Sequence, residues 1–384
     1  MPSNYKRLGD YIQEVNIRNR DLSNIPLLGV SIRKVLMPSI ANIIGTDMST
    51  YKLIQKNQFA YGPVTSRNGD KISIALLEEY DSAMVSQAYT VFEIIDEIEL
   101  SPEYLMMWFR RPEFDRYARF KSHGSAREIF SWTEIYETLL PIPSIVKQQE
   151  IVREYHTIQN RIALNNQLIS KLEETAQAIY KQWFVDFEFP DENGILDDYV
   201  EFNPKHSISK NVMVSYIEMA DLQENSLCIK NSIKREFSAG SKFKNEDTLL
   251  ARITPCLENG KTGFVNILKE GEIAFGSTEF IVMRPKDEIS PFWVYCLAKD
   301  ENFRLHAISS MVGSSGRQRV HSDYLKEYIL PKIDFQLMEK FDKIVNPVFE
   351  KIKLKNIEKN LLLNLNGLLL SKMTKVETET HILN

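Results

Sequence analysis

Cysteine is scarce in this chain: three thiols, Cys228, Cys256 and Cys296, in 384 residues. They stand far apart and form no C-x-x-C pair, which argues against a disulfide framework or a structural zinc site and fits a reducing cytoplasm. Long apolar runs are missing too. Met1-Pro2-Ser3-Asn4-Tyr5-Lys6-Arg7 leads into no hydrophobic stretch, so neither a membrane span nor a secretory leader is expected. Nor is there an excess of positive charge: 47 Lys and Arg face 52 Asp and Glu, a net of −5. Nucleic-acid binders usually carry a basic excess, so the totals alone disfavour that class. What remains is a globular balance, 43% hydrophobic and 26% charged, which excludes a disordered chain. At roughly 150 residues per domain, two or three domains are expected.

Catalytic signatures are lacking as well. Gly260-Lys261-Thr262 resembles the end of a phosphate-binding loop, but Pro255 stands where that motif needs glycine. Asn203-Pro204 is followed by Lys205-His206, not by the Pro and aromatic of an adenine methyltransferase. The six histidines form no metal-spaced pair, and no G-x-S-x-G occurs. A binding protein without its own cofactor or metal is the expectation.

The chain does contain a long internal repeat. Ala60, Asn68, Gly69 and Ser86 reappear as Ala251, Asn259, Gly260 and Ser277, and Tyr89-Thr90-Val91-Phe92 as Phe280-Ile281-Val282-Met283. Ser101-Pro102, Phe114 and Gly124-Ser125 return as Ser290-Pro291, Phe303 and Gly313-Ser314. Pro143, Ile145 and Gln148 return as Pro331, Ile333 and Gln336. An ordered series at nearly constant offset points to duplication. Each copy opens with short β-rich runs. The shared Asn-Gly pair predicts a tight hairpin turn, and the Ser-Pro pairs predict helix starts with Ser as N-cap and Pro as first residue.

Each copy closes on a helix. Ile151, Tyr155, Ile158, Ile162, Asn165, Ile169, Leu172, Ala176, Ile179 and Trp183 alternate in steps of four and three, an a/d seam interrupted by Asn165. An amphipathic helix on a globular core is the competing reading. The second copy offers Phe341, Val345, Val348, Ile352, Leu362, Leu369 and Met373, with Pro347 either kinking the helix or marking its start. Two such helices are expected to pair antiparallel, and residues 148–183 would span about 54 Å. The expected fold is thus α+β: two similar globular domains, 1–143 and 188–331, on helical regions 144–187 and 332–375, with a tail at 376–384.

At this point the chain resembles the specificity subunit of type I restriction–modification systems. The resemblance is carried by Leu172-Glu173-Glu174-Thr175-Ala176 leading to Trp183-Phe184-Val185-Asp186-Phe187, by the P-x-I-x-x-Q helix entries, by Asn203-Pro204-Lys205, and by Leu368-Leu369-Leu370-Ser371-Lys372-Met373. It covers nearly the whole chain and is weakest inside the globular halves. It implies a non-catalytic subunit whose two target-recognition domains each read one part of a split DNA sequence. It also implies helices that set the separation and bind methyltransferase subunits, with a restriction subunit joining the complex. S-adenosylmethionine would belong to the methyltransferase, and ATP and Mg to the restriction subunit. A coiled-coil scaffold that binds no DNA, and a nuclease with an unrecognised site, are the rivals.

The local charge pattern permits DNA. Residues 15–71 hold eight basic residues, Arg33, Lys34, Arg67 and Lys71 among them, against three acids, and residues 104–127 hold six against two. Residues 72–103 contain eight acids and no Lys or Arg. Basic segments can neutralise phosphates while acidic ones face away. Base readers are sought around the shared Asn-Gly: Tyr61, Thr65, Ser66, Arg67, Asn68 and Lys71 in copy one, and Arg252, Thr254, Asn259, Lys261 and Thr262 in copy two. A second strip comprises Ser125 and Arg127, then Ser315, Arg317, Gln318 and Arg319.

Overall fold

The computed structural model describes residues 5–40, 45–65, 71–124, 128–186, 192–314 and 316–375. The chain divides into two compact units, residues 1–160 with 362–384, and residues 161–361.

Unit one carries β1 (Tyr5–Arg7), β2 (Ile12–Val15), β3 (Leu27–Val30), β4 (Leu36–Pro38), β5 (Lys52–Gln55), β6 (Phe59–Gly62), β7 (Ser73–Leu76), β8 (Ser82–Val85), β9 (Thr90–Ile94) and β10 (Leu139–Pro141). One sheet has the order β2-β9-β6-β7, another β4-β3-β8-β5, and β1 pairs with β10. The helices are α1 (Pro102–Arg110), α2 (Pro112–Lys121), α3 (Trp132–Tyr136) and the start of α4 (Ile145–Phe184). Unit two repeats every strand ten numbers on: β11 (Asn193–Ile195), β12 (Val200–Phe202), β13 (Met213–Ile217), β14 (Ile233–Glu236), β15 (Ser241–Phe243), β16 (Thr248–Ala251), β17 (Thr262–Phe264), β18 (Ala274–Gly276), β19 (Phe280–Pro285) and β20 (Ile329–Pro331). Its sheets run β12-β19-β16-β17 and β14-β13-β18-β15, and β11 pairs with β20. Even the single parallel pairing recurs, β3 with β8 and β13 with β18. Then follow α5 (Pro291–Lys299), α6 (Glu301–Ser309), α7 (Ser322–Lys326) and α8 (Phe335–Lys372). The duplication is therefore topological as well as sequential, and the α+β class is as expected.

The alignment of the copies needs one correction. Phe92 pairs with Phe59, while Met283 pairs with Thr248. Ladder position thus matches Ala60 to Leu249, not to Ala251. Burial agrees: Ala60 and Leu249 lie in the smaller cores of their units, and Tyr61 and Leu250 in the larger ones. A slip of two residues preserves the buried face, so the sequence pattern could not expose it.

Both predicted helix starts are present. Ser101 Oγ accepts from Tyr104 N with Pro102 at the first turn, and Ser290 Oγ accepts from Phe292 N with Pro291 there. The tight Asn259-Gly260 hairpin is not. Ten residues separate β16 from β17, and the last of them close a helical turn: Lys261 N donates to Cys256 O (3.0 Å) and Gly260 N to Leu257 O (2.9 Å). These are the two bonds of a Schellman cap, and Gly260, at φ +71°, is its left-handed residue. Asn68-Gly69 lies outside the described residues.

The cores are aromatic. Phe59 and Phe92 stack at 4.7 Å in unit one, with Phe109 edge-on to both. In unit two Phe292 and Phe349 meet at 4.3 Å. The long helices enter these cores antiparallel. In unit one Leu370 and Met373, from the end of α8, share a core with Ile151, Val152 and Tyr155 from the start of α4. In unit two Phe184, at the end of α4, meets Phe341, near the start of α8, at 5.2 Å.

Along the expected seam Ile151, Tyr155, Ile162, Asn165, Ile169 and Ala176 are buried, and Ile158, Leu172, Ile179 and Trp183 half-buried. Tyr180 and Phe184, off the seam, are buried more deeply because the last turns of α4 also pack on Trp293 (6.3 and 6.2 Å). A helix with two neighbours buries a wider stripe than an a/d seam. In α8 Phe341, Val345 and Ile352 are buried, Val348, Leu362 and Leu369 half-buried, and Phe349 is the off-seam addition; Met373, in the turn just past its end, is buried too. Pro347 does not mark a helix start: α8 begins at Phe335, and Pro347 sits exposed within it.

Candidate nucleic-acid interface

The two strips singled out in copy two come together in space. In unit two the segment after β16 runs beside a small hairpin. Thr254 N donates to Gln318 O (3.0 Å), Gln318 N to Thr254 Oγ1 (3.2 Å), and Val320 N to Arg252 O (3.0 Å). Val312 and Arg319 exchange both backbone bonds across the hairpin. Gly313 at φ +130° and Gly316 at +77° lie in the turn between them. Unit one builds the same platform: Thr65 N donates to Glu128 O (3.0 Å), Phe130 N to Pro63 O (3.0 Å), and His123 pairs with Ile129. Segments some 60 positions apart are thus paired through their backbones in each unit, and in unit two the pairing brings Arg252, Gln318 and Arg319 together.

Not every candidate reaches the surface. Five are corrected outright. Lys34 is buried, its ammonium 2.6 Å from Asp115 and donating to Phe109 O; burial lowers its pKa, and Asp115 partly offsets this. Tyr61 is fully buried, its hydroxyl donating to Phe130 O. Thr65 and Thr262 are buried, and Thr65 donates to Ser122 Oγ. Thr254 is buried too and serves as the cap for Gln318. None of these can contact a base. Arg33, Lys71, Asn259 and Arg317 are exposed, and Arg252, Lys261, Gln318 and Arg319 half-exposed. Ser66, Arg67, Asn68, Ser125, Arg127 and Ser315 lie outside the described residues.

The basic block at 104–127 also looks different in three dimensions. Arg110 faces Glu78, Arg111 and Arg116 face Glu113, Arg119 meets Glu128, and Lys121 faces Glu134. Arg111 is buried over the Trp108 ring (4.2 Å), and burial lowers its pKa. These cations are largely structural, so the linear charge count overstated what unit one offers a phosphate.

Sequence reasoning missed three groups. Glu279 takes Arg319 through Nε and Nη2 (2.9 and 2.8 Å) and Arg252 through Nε (3.1 Å). Hydrogen bonds from Arg319 come first among the causes that lower its pKa. Lys299 donates to Gly260 O (3.1 Å) and Glu224 O (2.6 Å), tying down the Schellman turn. Glu173 of α4 accepts from Ser226 Oγ (2.8 Å) and Leu227 N (3.0 Å), and burial raises its pKa to about 7. An acid inside a basic strip reads as an interruption until strand pairing places it between two arginines.

Among the described residues no His, Cys, Asp or Glu group could hold a metal ion, and no helix is long and apolar enough to cross a membrane.

A duplicated pair of α+β domains, each closed by a long helix, defines an internally repeated two-domain fold. Residues 32–174 match the family model described as the type I restriction modification DNA specificity domain. That match takes in the later strands of unit one and most of α4, and the curated relatives the chain is similar to are specificity subunits. The chain is 28% identical over 157 residues to the type I restriction enzyme HindI specificity subunit of Haemophilus influenzae, covering 40% of this chain and 34% of that protein. It is 32% identical over 165 residues to the EcoAI specificity subunit of Escherichia coli, covering 40% of this chain and 27% of that protein. The chain thus spans about a third of the length of these curated relatives. In fold it is similar to the crystal structure of the type I restriction–modification S subunit from M. genitalium, with a TM-score of 0.58 at 12% identity over 97% of this chain and 96% of that one.

Proposed function

We propose that this chain is the DNA-reading subunit of a type I restriction–modification complex, with no catalytic role of its own. Each domain reads one part of a split target, and the long helices set the separation and dock methyltransferase subunits. The methyltransferase supplies S-adenosylmethionine chemistry, a restriction subunit uses ATP and Mg, and the complex works in the cytoplasm. The observation that supports this most is the backbone pairing that recurs at the same topological place in both units, between strips that in unit two carry Arg252, Asn259, Lys261, Gln318 and Arg319. A bipartite target calls for two such surfaces, and base edges are read by these side-chain types.

The test is coexpression with a co-encoded methyltransferase subunit, followed by sequencing of methylated DNA. A single split motif is expected, and exchange of residues 1–140 for those of a relative should change only one of its parts. A protein complex that forms but methylates no motif would support a scaffold instead. Activity on DNA without partners would point to an enzyme.

A further inference from the structure

The Arg252–Glu279–Arg319 cluster in unit two carries more than a general basic surface. Backbone pairing fixes it: Arg252 N donates to Glu279 O (3.0 Å), and Arg319 bridges to Ile253. The two arginines are used differently. Arg319 spends Nε and Nη2 on Glu279 and Nη1 on Arg317 O (3.2 Å), so all three of its nitrogens are occupied within the protein. Arg252 gives only Nε to Glu279. Its two terminal nitrogens have no partner among the described residues, and its side chain is 31% exposed.

We propose that Arg252 reads a guanine in the major groove through its two terminal nitrogens, with Glu279 and Arg319 as positioning residues. This rests on the DNA-reading function proposed above and assigns its chemistry in the second domain. A guanidinium held by Nε presents its remaining N–H pair as a rigid fork, which matches the O6 and N7 acceptors of guanine. Phosphate binding fits the cluster less well. A carboxylate in contact with the guanidinium repels a phosphate, whereas a base edge bears no net charge. Arg319 supplies the second cation that keeps Glu279 ionised and in place.

Unit one has no counterpart. Pro63 takes the ladder place of Arg252 and Ile129 that of Arg319. The β9 register, which aligns Phe92 with Met283, puts Ala88 at the place of Glu279. The two parts of the target are therefore read by different chemistry.

The test uses the full chain with its methyltransferase subunit and reads methylated motifs for wild type, R252A, R252K and E279Q. R252A should relax one G·C position in one part of the motif, losing roughly ten- to a hundredfold discrimination there. The other part, read normally, shows that the complex has folded and assembled. R252K should read the same position less sharply than wild type, since an ammonium reaches O6 and N7 without a rigid fork. E279Q, which keeps an acceptor but loses the charge, should relax the same position more mildly. Even loss across all sites in R252A would make the contact a phosphate contact and overturn the assignment. An unchanged motif in R252A would overturn it too. No split motif in the wild-type complex would overturn the DNA-reading function itself, and this assignment with it.

Discussion

At the scale of single residues, burial separates side chains that support the fold from those free to meet a ligand. Lys34 was attractive as a cation in a basic segment, yet it neutralises Asp115, which also accepts from Ile72 N (3.1 Å). Lys34→Ala leaves that carboxylate buried without its counter-ion and should cost unit one about 3–5 kcal/mol in denaturant unfolding. A loss below about 1 kcal/mol would show the pair to be dispensable. Glu173 makes a prediction of opposite kind. Its folded pKa of about 7 lies above the ordinary carboxyl value of about 4.3. The folded state therefore binds the proton more tightly, and this contribution to stability is full below pH 4.3 and lost as pH rises through 7. Glu173→Gln keeps an acceptor for Leu227 N and removes the buried charge. Its unfolding free energy should exceed that of wild type increasingly between pH 6 and pH 8, by about 1–3 kcal/mol at the upper end. A difference independent of pH would sink the burial argument. The residue types of the site were legible in sequence, but exposure was not. Tyr61 and Thr262 look like base readers until the strands fold and their alternate faces turn inward.

Elements were more legible, and the exceptions are instructive. Helix starts at Ser101-Pro102 and Ser290-Pro291 depend on local chemistry that a sequence displays directly. So does the heptad spacing through Ala176. The drift to Tyr180 and Phe184 was hidden because it depends on a neighbour, Trp293, more than a hundred residues away. Asn259-Gly260 misled for a related reason: positive φ suits both a hairpin turn and a helix cap, and only the following bonds decide. The predicted polar interruption, Asn165, is buried in unit two, where Arg161 and Lys355 from the two helices hold the Glu358 carboxyl down at about 2. Asn165→Leu should raise the thermal stability of unit two by on the order of 1 kcal/mol while weakening the preference for one helix register. Higher melting with no change in the crosslinks that report register would leave Asn165 without a specifying role.

At the scale of the whole molecule, the net charge of −5 now has a local account. Most cations beside α2 are matched by carboxylates, so affinity for bulk phosphate should be low. If sequence choice resides in the platforms, the unread spacer should depend on helix length alone. Helices α4 and α8 are nearly matched, 40 and 38 residues, so seven residues can be removed from each without unbalancing the pair. Seven residues shorten a helix by about 10.5 Å and turn it about 20° short of two full turns, so the buried stripe stays in phase. Over B-DNA, at about 3.4 Å per base pair, the spacer should shorten by about three base pairs with both read parts unchanged. Methylated-motif sequencing of the double deletion measures this directly. A shortened spacer with both parts intact would establish the helices as the ruler. An unchanged spacer in an active complex would mean that helix length does not set the separation.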